Sequence, residues 1–128
     1  MRSLFIAALA TLALASYGAE DNRPIGPNCA LEAPPAEAGE DSNHGRRIRV
    51  FPRAKDIGAD YSGCQAVFME DHGKWVVWYL VEIASGYPLR VWSEFGSGDP
   101  IFSCRYSKGN LVRGDPDSCP AAQLLLKN

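Results

Sequence analysis

The chain predicts a mainly β domain: an antiparallel β-meander of about five or six strands, closed by a short C-terminal helix and stapled by two disulfides. Three observations predict it. From Arg46 onward, short apolar runs alternate with turn signals such as DHG, ASGY, GSGD and SKG, which is the texture of consecutive hairpins. All four cysteines, Cys29, Cys64, Cys104 and Cys119, lie beyond the first segment of the chain, and an even count in a small exported domain points to disulfides. At 128 residues there is room for one domain, whose limited core gains from such staples.

The elements follow in order. Residues 1–19, MRSLFIAALATLALASYGA, place Arg2 before an apolar run from Leu4 to Ala15 and then small residues, the layout of a secretory signal peptide. The run is shorter than the roughly 20 apolar residues of a spanning helix, so the expectation is an exported, periplasmic or extracellular protein that does not span the membrane. Residues 20–45 contain Pro24, Pro27, Pro34 and Pro35 and six acids up to Asp41 against the single base Arg23. They read as an irregular acidic arm tied down at Cys29. Residues 46–128 are the stapled β domain, with strands expected at RIRVF, CQAVFME, KWVVWYLVEI, PLRVWSEF, IFSCRY and NLVR. After Cys119-Pro120, the good helix formers of AAQLLLKN predict the closing helix.

Register follows from loop length, because side chains alternate between faces. A three-residue loop Ser85-Gly86-Tyr87 sets Leu89, Val91 and Phe95 beside Val77, Tyr79 and Val81, and places Arg90 across from Glu82. A two-residue loop at His72-Gly73 sets Cys64, Ala66 and Phe68 opposite Val81, Tyr79 and Val77. With Phe102, Cys104, Tyr106 and Leu111 these form the expected core face. The opposite face then carries Val67, Met69, Val76, Trp78, Leu80, Trp92 and Ile101 among Gln65, Glu82, Arg90 and Glu94. So much apolar surface calls for a cover. The candidates are the closing helix with Leu124, Leu125 and Leu126, the strand bearing Ile48 and Val50, or a partner protein. In an open meander Cys64 and Cys104 stand three strand spacings, roughly 14 Å, apart, too far to bridge. Of the two connectivities left, Cys29–Cys64 with Cys104–Cys119 is favoured.

Function is read by weighing residue types. The net charge of −2 argues against a nucleic-acid protein. The cysteine spacings are far from the close pairs of a metal site, and no cofactor motif appears. No nucleophile stands beside a base and an orienting group, so no catalytic residue is assigned; a small hydrolase using Glu70, His72 or Glu94 is a third-ranked reading. The leading expectation is a binding protein of inhibitor or immunity type. It would cap another protein through Met69, Trp78, Leu80, Arg90 and Trp92, since tryptophan and arginine dominate interface energetics. The alternative is a structural or adhesive envelope protein. It would recognise an anionic glycan or lipid headgroup through the basic run RRIRVFPRAK, in which Arg47 and Arg49 line one side.

Overall fold

The computed structural model describes residues 23–93 and 100–128. The segment read as a signal peptide, the first residues of the arm, Glu94, Phe95 and the GSGD turn lie outside the described residues. The described chain forms a seven-stranded antiparallel sheet in which each strand pairs with the next in sequence. The strands are β1 Gly39–Asn43, β2 Arg46–Phe51, β3 Gly63–Asp71, β4 Lys74–Ala84, β5 Tyr87–Trp92, β6 Arg105–Ser107 and β7 Asn110–Arg113. The disulfides are Cys29–Cys64 and Cys104–Cys119, with Cα separations of 5.0 and 5.9 Å. Among the described residues no helix is long and apolar enough to cross a membrane.

The meander is longer than its sequence suggests, because the arm gives up its last residues to β1. His44-Gly45 is a two-residue hairpin turn with φ of 51° and 79°. Beyond it Glu40 pairs with Arg49 and Asp41 with Ile48. An acidic strand thus lies along the basic one, where opposite charges are favourable neighbours. The same turn geometry, both central residues at positive φ, recurs at His72-Gly73, Ser85-Gly86 and Lys108-Gly109. Its twist matches that of the flanking strands.

Ser85-Gly86 is therefore a two-residue loop, not the three-residue loop expected. Glu82 still faces Arg90, because the extra residue is taken up as a bulge between that pair and Ile83–Pro88. A second bulge has larger consequences. Phe68 pairs with Val77 as expected, but Val67 pairs with Tyr79, leaving Trp78 unmatched. Past this point Ala66 faces Leu80 and Cys64 faces Glu82, so the two faces read from strict alternation exchange members.

One face gathers Cys64, Ala66, Phe68 and Leu80 with Val77, Trp75 and Trp92, and is covered by the arm through Cys29 and Leu31. The other gathers Ile48, Val50 and Val67 with Met69, Trp78 and Tyr79. It continues into Val81, Ile83, Val91, Cys104 and Tyr106, where Ala122, Leu125 and Leu126 cover it. We call these the arm face and the tail face. The tail is not an α-helix: it makes a single 3-10 turn, Ala122–Leu124. It then extends so that the Ala54 N–H donates to the Lys127 carbonyl at 2.8 Å. Likewise IFSCRY opens with a 3-10 turn over Pro100–Ser103 before β6. Ile48 and Val50 do not lie over the sheet as a lid; they belong to β2, in its plane.

Candidate functional site

The bulge at Trp78 separates residues that the sequence groups together. Leu80 and Trp92 are register partners and lie on the arm face with Arg90. Trp78 and Met69 pack on the tail face, where the Trp78 and Tyr79 rings meet edge to face at 5.2 Å. The expected patch centred on Trp78 and Trp92 is thus not one surface. The structure instead brings Trp92 to the vicinity of Trp75, a residue the sequence reading passed over. Trp75 sits two residues before Val77 and so shares its face; a tryptophan one residue into a hairpin arm is the signal that was available.

Between these two rings runs a groove of about 310 Å³, lined by Arg23, Leu31, Glu32, Trp75, Val77 and Trp92 among others. Three arginines hold its aromatic walls. Arg23, on the arm, lies over the Trp92 ring at 5.2 Å, and its Nε donates to the Cys29 carbonyl at 3.1 Å. Arg47 and Arg49 lie over Trp75 at 5.4 and 5.9 Å. Cations at these distances are attracted by the ring face, which favours the observed placement of both indoles. The Cys29–Cys64 bridge pins the arm beside them.

Arg47 and Arg49 are otherwise engaged within the molecule. Arg47 bridges Glu40 at 2.7 Å and Glu70 at 3.1 Å. Its hydrogen bond and positive charge hold the Glu40 carboxyl below the usual carboxylate range. Arg49 donates from one terminal nitrogen to the carbonyls of Ala36 and Ala38, while its buried Nε has no hydrogen-bond partner among the described residues.

At the other side of the arm face, Arg90 donates from Nε to Glu82 at 2.6 Å, both half-buried. Arg105 donates to the carbonyls of Phe102 and Cys104. Burial lowers its pKa, with the nearby charges of Arg90 and Arg113 acting in the same direction and Glu82 opposing them. Of the residues considered for hydrolysis, Glu70 is held by Arg47. His72 is 94% exposed at its hairpin tip beside Asp71, and Glu94 lies outside the described residues. Among the described residues no three His, Cys, Asp or Glu side chains gather as a metal site.

No family model, curated protein or solved structure matches this chain.

Proposed function

We propose that this is a small exported binding protein, of inhibitor or immunity type, that caps another protein through the arm face. The observation that carries this reading is the Trp75–Trp92 groove, whose walls are set by Arg23, Arg47 and Arg49 and by the disulfide-pinned arm. Aromatic and arginine side chains held in advance reduce the ordering cost of association and are the types that concentrate binding energy. Two disulfides in so small a domain are compatible with export to an oxidising compartment, which is the setting the first nineteen residues suggest.

The envelope-binding alternative loses weight on the same geometry. Its two central arginines, Arg47 and Arg49, are committed to Glu40, Glu70, Trp75 and backbone carbonyls, so a glycan or lipid headgroup would have to displace those partners. The test is affinity capture by the oxidised protein beside a Trp75→Ala/Trp92→Ala variant whose near-ultraviolet circular dichroism shows that it is folded. A stoichiometric protein held by the first and lost by the second supports the cap. Equal capture by both, or anionic vesicles and glycans bound in a salt-sensitive way with no protein, overturns it.

A further inference from the structure

Across the arm face, one line of register partners runs Glu82–Arg90–Arg105–Arg113 through β4, β5, β6 and β7. Directly opposed residues on neighbouring strands share a face, and like charges so opposed are unfavourable. Here two successive pairs are arginine against arginine. The last is produced by a bulge: Tyr106 faces Leu111, yet Arg105 faces Arg113, so Val112 is the unmatched residue. Without that bulge Val112 would stand opposite Arg105 and the row would stop one strand short. A bulge that re-aims a side chain is a recurrent device beside binding sites.

We propose that Arg90, Arg105 and Arg113 form a row that receives a carboxylate-rich segment of the protein partner. This rests on the reading of the arm face as a protein-binding surface and gives that partner its chemistry. The row's single acid, Glu82, is taken by Arg90. Among the described residues neither Arg105 nor Arg113 pairs with a carboxylate. Arg90 with Arg105 and Arg105 with Arg113 are directly opposed across neighbouring strands, where side chains start about 5 Å apart, so one extended segment can reach all three. The row begins two residues from Trp92 on the same strand face, so a segment seated on it continues into the aromatic groove. A carboxylate is favoured over sulfate or phosphate because two arginines of this face already bind carboxylates, Arg47 those of Glu40 and Glu70 and Arg90 that of Glu82. The guanidinium fork matches that planar group. The row ends at β7, the last strand of the sheet, where Arg113 is exposed and open to an approaching chain.

The experiment measures fluorescence anisotropy of a labelled hexaglutamate peptide with the oxidised protein at low ionic strength. Heparin oligosaccharide and inorganic phosphate serve as competing probes. Arg105→Gln/Arg113→Gln is expected to weaken peptide binding by about tenfold or more, while Arg46→Gln, an exposed arginine on the tail face, leaves it unchanged. Arg113→Gln alone should weaken binding without lowering the melting temperature, because it relieves repulsion; a purely structural arginine would lower it. The proposal is overturned by equal peptide affinity in the double variant, by no peptide binding, or by heparin binding more tightly at matched charge. A protein partner lost by Trp75→Ala/Trp92→Ala but kept by Arg105→Gln/Arg113→Gln leaves the cap standing and removes the row. Row-dependent peptide binding with no protein captured removes the cap, and with it the assignment of the segment to a partner.

Discussion

Gln65 has no access to solvent and its amide joins the tail to the end of β2. Its Nε2 donates to the carbonyls of Pro52 and Lys127 at 3.0 and 2.6 Å, and its Oε1 accepts from the Lys127 N–H at 3.0 Å. Gln65→Leu would take their partner from the Pro52 carbonyl and the Lys127 N–H, while the Lys127 carbonyl keeps the Ala54 N–H; a backbone group buried without a partner costs about 1–3 kcal/mol. Urea denaturation should show a loss in that range, with faster amide exchange at Lys127. Read from its type, Gln65 belongs on a wet face; only the tail's return across the sheet explains its burial. Two phenols make a second case. Burial raises the pKa of Tyr79 and Tyr106 above the usual range. In the unfolded chain they ionise near pH 10, so above that pH the unfolded state holds fewer protons than the folded one. Stability therefore falls as pH rises, by up to about 1.4 kcal/mol per unit for each group. Tyr79→Phe should flatten that decline between about pH 10 and 11, measured by denaturation at fixed temperature.

Among the elements, the hairpin turns were the most legible feature and the bulges the least. A glycine after His72, Ser85 or Lys108 between apolar runs marks a turn by its own chemistry, and three of the four turns are readable that way. The fourth, His44-Gly45, falls within the stretch whose composition marks an arm, because β1 is polar and its pairing depends on the basic strand beside it. The turns also differ in what surrounds them. A Cβ on Gly73 meets nothing within 4 Å, whereas on Gly86 it meets the Ala59 Cα and the Gly58 carbonyl at 2.9 Å. Gly86 N–H also donates to the Tyr61 carbonyl at 2.8 Å. Gly73→Ala should cost about 1–2 kcal/mol, the left-handed backbone penalty, and Gly86→Ala clearly more, since the loop over Gly58 and Ala59 must move. Parallel denaturation curves decide this; equal costs would mean that the loop yields freely. The bulge at Trp78 left no such mark, because Val76, Val77, Trp78 and Tyr79 are all acceptable on either face. It is this one residue that sends Trp78 to the tail face and leaves Trp75 to share the arm face with Trp92.

For the whole molecule, one bridge ties the arm to β3 and the other ties the segment before the tail to the residue preceding β6. Cys29–Cys64 closes 35 residues and Cys104–Cys119 closes 15. Chain entropy alone ranks them at about 4 and about 3 kcal/mol. Cys29→Ala/Cys64→Ala should therefore destabilise more than Cys104→Ala/Cys119→Ala. It should also open residues 23–38 to proteolysis and weaken the groove, since Arg23 then loses its anchor over Trp92. If limited proteolysis finds the arm still protected, contacts such as Arg49 to Ala36 and Ala38 suffice to hold it. The sequence by itself determined the β class and three of the four tight turns, because turn chemistry is local; for the disulfides, strand spacing excluded one connectivity and left two, between which the structure decides. It also marked an apolar sheet too rich to leave uncovered on either side. Only the tertiary structure decided which residues share a face and what covers each one. Face membership flips with a single bulged residue, and a bulge is chosen by packing against the arm and tail rather than by the residues that form it.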